Sequence, residues 1–191
     1  MNLFLILMGS IFINNYVLAQ FLGMCPFFGV SKKTETAIGM GLAVMFVMTL
    51  SSIMTWLFYT HVLVPLEITY LQTVVFILII ASIVQFVEVF MKKMLSVLYN
   101  LLGVYLPLIT TNCAIFGITL ININENFTFI EVVVNALGAG AGFTLAMLLL
   151  AGIREKLDNN NDIPEVFKGF PLALFSAGLM SIAFMGFQGL I

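Results

Sequence analysis

Apolar residues run along this chain in stretches of about twenty or more, divided by short polar segments, and the stretches are hydrophobic all round rather than along one face. The pattern predicts helices over residues 2 to 24, 37 to 58, 70 to 91, 95 to 121, 129 to 151 and 170 to 191. A bilayer core about 30 Å thick needs about 20 residues of helix at about 1.5 Å per residue, so each stretch is long enough to cross. Six crossings use nearly the whole chain and leave no room for a water-soluble domain. The fold class expected is therefore an all-α membrane protein of six transmembrane helices, with residues 1–191 as one integral membrane domain. The opening MNLFLILMGSIFINNY has no Lys or Arg before its apolar run and no small-residue cleavage site, so it reads as a retained first span rather than a signal peptide.

Composition sharpens this picture. Of 191 residues, 62% are hydrophobic and 8% charged, against about 25% charged in a soluble domain. With so few charges the net value of -2 says little about partners, and no nucleic-acid partner is expected. Placement says more. The seven basic residues, Lys32, Lys33, Lys92, Lys93, Arg154, Lys156 and Lys168, all fall after the first, third and fifth spans. The excess of Lys and Arg in cytoplasmic loops puts those three loops inside and both termini on the outer face. The longest connection, REKLDNNNDIPEVFKG, reads as a solvated loop that could also dock a partner subunit.

The two halves resemble each other. CPFFG from Cys25 lines up with CAIFG from Cys113, an offset of 88, and GMGLA from Gly39 with GAGAG from Gly138, an offset of 99. Three spans is an odd number, so a second copy enters from the opposite side. Halves of about 1–93 and 94–191 thus predict an inverted three-plus-three repeat, an architecture whose working site lies near the midplane where interrupted helices meet. Residues 1 to 31 and 94 to 124 carry no charge, which is more length than a straight crossing requires. Tilt or apolar loop would absorb the excess. A break is preferred, because Pro26 follows Cys25 while Pro107, Thr110, Thr111 and Asn112 precede Cys113, and such residues suit the start of a new half-helix.

Cys25 and Cys113 are the only cysteines and occupy matching positions in the two halves. Were both helices to break there, each sulfur would stand at the positive start of a half-helix, where the dipole and free N–H groups stabilise a thiolate. Two buried apolar thiols or a disulfide are the competing readings. An iron-sulfur cluster takes four cysteines, so a second chain would have to complete one, and the count alone leaves zinc, iron-sulfur and disulfide open. His61 lies in an expected outer loop and is a poor candidate for a missing ligand. Among other polar residues in the spans, Glu88 precedes Lys92 by one helical turn, which favours an ion pair over a place on an ion pathway. Glu131 complements the start of its helix. Asn14, Asn15, Gln20, Gln85 and Asn135 read as interhelical hydrogen-bonding groups, and Gly138, Gly140 and Gly142 as sites of close helix packing. Thr111 and Asn112 adjoin Cys113 and are candidates to tune a cluster or line an ion path.

The segments NNYVLAQFLGMCPFFGVSKK, YLPLITTNCAIFG, NALGAGAGFTLAMLLLAGIREKL and KGFPLALFSAGLMSIAFMGFQGL resemble the family formed by the A subunit of the Rnf ion-translocating electron-transport complex and the E subunit of the sodium-translocating NADH:quinone reductase, nearly end to end. The resemblance implies a translocase subunit in a prokaryotic cell membrane, paired with a homologous subunit of opposite orientation. Together they would hold an intramembrane [2Fe-2S] cluster, with Cys25 and Cys113 matching the family's ligand positions. It further implies electron transfer between ferredoxin and NAD coupled to sodium or proton transport, with flavin, NAD and other iron-sulfur sites on other subunits. No GxGxxG or Cys-rich motif occurs in this chain. The rival reading is a metal-free inverted-repeat transporter or channel, and a third is a structural anchor for peripheral subunits.

Overall fold

The computed structural model describes residues 3–13, 15–31, 33–66, 69–94, 109, 111–158 and 169–186. The described residues form helices and turns. The first apolar stretch is built in pieces: α1 (Leu3–Met8), a π-helical turn (Gly9–Ile13), α2 (Tyr16–Gln20) and α3 (Met24–Val30). Then come α4 (Thr34–Phe58), a second π-helical turn (Tyr59–Leu63), a short 3-10 turn (Thr69–Leu71), α5 (Gln72–Met94), α6 (Cys113–Asn124), α7 (Phe129–Asp158) and α8 (Phe170–Met185). Three of these are long and apolar enough to cross a bilayer: Thr34–Leu63, Gln72–Phe90 and Phe129–Leu157. α6 and α8 are apolar but shorter. Most of the expected fourth span, residues 95–108, lies outside the described residues, as do residues 187–191 of the sixth.

α4 and α7 pack antiparallel along their length and form the centre. Trp56 meets Phe129 ring to ring at 5.4 Å, a Cβ on Gly41 would touch Thr144, a Cβ on Gly140 would touch Met45, and Thr34 Oγ1 donates to Glu155 Oε2 at 2.6 Å. Pairs spaced like this from one end to the other fix the register. The glycines set the spacing: Gly138 and Gly142 lie against Leu7, Ser10 and Ile11 of the first stretch, whereas Gly140 lies against α4. Each lets a neighbouring backbone approach to where a side chain would stand. Phe27, Met40, Ile115, Ile118, Phe143, Met147 and Leu150 fill the buried core around this axis.

The outer faces are apolar too. Leu78, Phe86 and Phe90 on α5 and Leu174, Phe175 and Ile182 on α8 are exposed. In water such surfaces would drive association, while in hydrocarbon they are simply solvated. One expectation changes here. The helix predicted to end at residue 151 continues to Asp158, so Arg154, Glu155 and Lys156 are helical rather than loop. A helix need not stop where hydrophobicity stops, and Arg154 and Glu155 hold this last turn against the 28–34 segment.

Candidate functional site

The two cysteine segments meet. α2 ends at Gln20, Phe21 adopts a left-handed conformation (φ 57°), and Gly23 (φ 83°) precedes the first turn of α3, on which Cys25 is the second residue and Pro26 the third. Proline is tolerated there because the first-turn N–H groups have no intrahelical partner. α6 starts at Cys113, and Asn112 caps it through Oδ1, which accepts from the Ala114 N–H at 3.0 Å. The N–H of Gly23 donates to Cys113 Sγ at 2.9 Å. Cys25 lies two residues further on, no more than about 7 Å along the chain.

Glycine at 23 is a geometric requirement. A Cβ there would stand 2.9 Å from Phe143 Cε2, 3.1 Å from Ala114 Cβ and 3.4 Å from Asn112 Oδ1. The same contact fixes the level of the site along the central helices: Phe143 is about 21 Å from Phe129 and about 16 Å from Arg154 along α7 at about 1.5 Å per residue. The site is therefore near the middle of the longest helix.

The two sulfurs differ in surroundings. Cys113 is half-buried and Cys25 exposed, and neither is in a disulfide. Cys25 lines an open apolar groove with Met24, Phe28, Gly29 and Phe170. Cys113 is the first residue of a twelve-residue helix, and its sulfur already accepts one backbone N–H. Among the described residues no three His, Cys, Asp or Glu side chains converge as a complete metal site. Two sulfurs, one of them open to the surface, form at most half of a tetrathiolate set.

The other residues singled out are dispersed. Asn112 is buried, its Oδ1 committed to the cap and its Nδ2 without a partner among the described residues. Thr111 is exposed in the preceding turn. Glu88 is half-buried on α5, one turn before Lys92. Glu131 serves its helix start, accepting from both N–H and Oγ1 of Thr128 at 3.0 and 2.9 Å. His61 is exposed in the π-helical turn after α4, its Nδ1 3.2 Å from the Leu57 carbonyl.

Asn15 and Asn135, expected to bond between helices, do so, but sequence reasoning missed their partners and the buried polar relay they form. Ser10 Oγ and Tyr16 OH approach Asn135 Oδ1, Asn135 Nδ2 donates to Asn122 Oδ1 at 2.7 Å, and Asn15 Nδ2 donates to the Gly142 carbonyl at 3.0 Å. It also missed that Arg154 is buried, with Nη1 donating to the Phe28 carbonyl and to Ser31 Oγ. One signal was available: Arg154 is the single arginine among seven basic residues, and a planar guanidinium suits buried carbonyl groups better than an ammonium.

Long apolar helices packed through glycines, lipid-like outer faces and internal polar groups bonded between helices define a multi-pass membrane protein. Residues 3–191 match the family described as Rnf-Nqr subunit, membrane protein, and the chain belongs to that family. It is 56% identical over 190 residues to the A subunit of the Na(+)-translocating ferredoxin:NAD(+) oxidoreductase complex of Acetobacterium woodii, covering 100% of this chain and 98% of that protein. It is likewise 56% identical to the A subunit of the ion-translocating oxidoreductase complex of Proteus mirabilis, over 98% of this chain and 96% of that one. With the corresponding protein of Vibrio vulnificus the identity is 53%, over 98% and 97%.

Proposed function

We propose that the chain is the membrane subunit of an ion-translocating ferredoxin:NAD oxidoreductase complex, and that Cys25 and Cys113 supply two of four ligands to a [2Fe-2S] cluster completed by a homologous subunit of opposite orientation. The observation that carries this reading is the 2.9 Å contact between the Gly23 N–H and Cys113 Sγ, which unites the two cysteine segments at the middle of α7. Straight crossings would set the cysteines about a membrane thickness apart. The pieces from Leu3 to Val30 are read as one interrupted span, and the start of α6 at Cys113 as the counterpart of the start of α3. Unwound backbone of this kind survives at membrane depth only where protein covers it, and Phe143 covers it at Gly23.

The inverted repeat is supported by a reciprocal pair of contacts. Gly41 lies against Thr144 and Gly140 against Met45. At the offset of 99, Gly140 is the counterpart of Gly41 and Thr144 of Met45, so the two contacts are one contact made twice, as about a two-fold axis. A cluster so held, when bound, accepts and releases one electron at a time. The protein's part is to present the two sulfurs, half-bury Cys113 and set the Gly23 N–H and the start of α6 against its sulfur. Coupling to sodium or proton movement requires that charge at the site favour one of two conformations, because only a differential free energy between states moves an ion. Nucleotide and flavin chemistry are assigned to other subunits.

The test is coexpression with the homologous partner, then iron analysis and electron paramagnetic resonance after reduction. The wild-type pair should contain two irons per pair and give a reduced-cluster signal. Cys25→Ser and Cys113→Ser should each lose both. Full iron in either variant would remove these cysteines from the site, and an iron-free wild-type pair that moves a solute in liposomes would make the protein a metal-free transporter.

A further inference from the structure

We infer that Arg154 is a positioning residue for Cys25. α3, which carries Cys25, has seven residues, and helices shorter than about 12 to 15 residues do not hold themselves together. Its start is fixed where Gly23 meets Phe143 and Cys113. Its end is fixed by Arg154, whose Nη1 donates to the Phe28 carbonyl at 3.0 Å and to Ser31 Oγ at 2.9 Å. Phe28 lies one helical turn beyond Cys25. Both anchors come from the same rigid helix, α7, so the short helix is clamped at its two ends by one element.

Arg154 differs from the other described basic residues in this respect. Lys33, Lys92, Lys93 and Lys156 are exposed, whereas Arg154 is 8% exposed. A buried guanidinium is costly to desolvate unless its donors are used, and here two bonds go to the C-terminal end of α3, where orphan carbonyls and the negative end of the dipole accept a cation. Neighbouring contacts brace the same corner: Thr34 Oγ1 donates to Glu155 Oε2, and Thr36 Oγ1 to the Lys33 and Val30 carbonyls. Removing the guanidinium frees the Phe28 carbonyl and lets the turn that orients Cys25 open.

Two readouts test this, and only one rests on the cluster assigned above. In membranes containing the full chain with Cys113→Ser, a nitroxide attached to Cys25, which is exposed and so needs no opening to be labelled, should be severalfold more mobile in Arg154→Gln, as expected for loss of a charge-assisted hydrogen bond holding the turn that carries it. Arg154→Lys, which keeps a cation at the helix end, should restore most of the immobilisation, and Ser31→Ala should give a smaller rise in mobility. In the assembled complex, Arg154→Gln should retain iron but broaden or shift the reduced-cluster signal, with Arg154→Lys closer to wild type. An unchanged Cys25 label mobility in Arg154→Gln would overturn the inference. So would an equal rise at Cys113 in the Cys25→Ser background, since that means general loosening. Should Arg154→Gln fail to accumulate, Arg154→Lys and Ser31→Ala decide: wild-type mobility in both overturns it. An iron-free wild-type complex removes the second readout and the cluster assignment while leaving the label-mobility test intact.

Discussion

At position 23 a side chain would have to occupy space already filled by Phe143 and Ala114 while adopting a backbone angle, φ 83°, that costs L-residues roughly 1–2 kcal/mol. The Gly23 N–H is also the donor to Cys113. Gly23→Ala should therefore cost roughly 2–4 kcal/mol from backbone strain and overpacking combined, seen as a lowered melting temperature of the purified complex, and, on the proposed cluster assignment, should also lower its iron content. Gly152→Ala is the control: nothing lies within 4 Å of where its Cβ would stand and its φ is ordinary, so stability should be unchanged or slightly raised. Equal effects at the two positions would show that the close contact at Gly23 is not limiting. That the two cysteine segments should meet was legible in the sequence, because the two cysteines match between halves. Gly23 was not, because a glycine needing positive φ looks like any other until its neighbours are known. Arg154 was hidden for the opposite reason: its charge marked it as a loop residue, and only the continuation of α7 brings it under α3.

Among the elements, the first apolar stretch departs most from a plain helix. The π-helical turn at Gly9–Ile13 delivers Ser10 to Asn135, and Asn15 both caps α2 and bonds the Gly142 carbonyl. Asn135 is the hub, accepting from Ser10 and Tyr16 and donating to Asn122. Interhelical hydrogen bonds in membranes average about 0.6 kcal/mol with a maximum near 1.7, so a hub with several partners should lie at the upper end. Asn135→Leu should destabilise the chain by roughly 1–2 kcal/mol, measured by unfolding in detergent, with Asn122→Leu costing less because it removes one bond. The reverse order would make Asn122 the hub. Sequence reasoning identified Asn135 and Asn15 as hydrogen-bonding groups but gave no partners, since apolar helices offer no amphipathic stripe from which to read facing residues. For the same reason helix ends were displaced: α4 starts at Thr34 rather than 37 and α7 runs to Asp158 rather than 151, because hydropathy marks the bilayer and capping marks the helix.

For the molecule as a whole, the described basic residues gather at one end. Thr34 bonds Glu155, and Arg154 bonds Phe28 and Ser31, so the segment after the first apolar stretch and the end of α7 are in contact. α5 returns after the turns at 59–71 and ends at Lys92 and Lys93. Three separate segments carrying Lys or Arg on one side are what the charge asymmetry of cytoplasmic loops demands, whereas a water-soluble fold has no reason to segregate them. The orientation expected from the basic loops, with that side in the cytoplasm and both termini outward, is open to direct test. A C-terminal alkaline phosphatase fusion should then be active and a C-terminal green fluorescent protein fusion dark, while the same reporters inserted after Asn160 should give the opposite result. Replacing Lys32, Lys33, Lys92 and Lys93 with Gln should weaken or mix the orientation, because the bias resides in those charges rather than in the apolar helices. Arg154→Gln should leave orientation unchanged, since that cation is already committed to α3. A fluorescent C-terminal fusion in the wild type would reverse the chain, and with it the orientation proposed for a homologous partner.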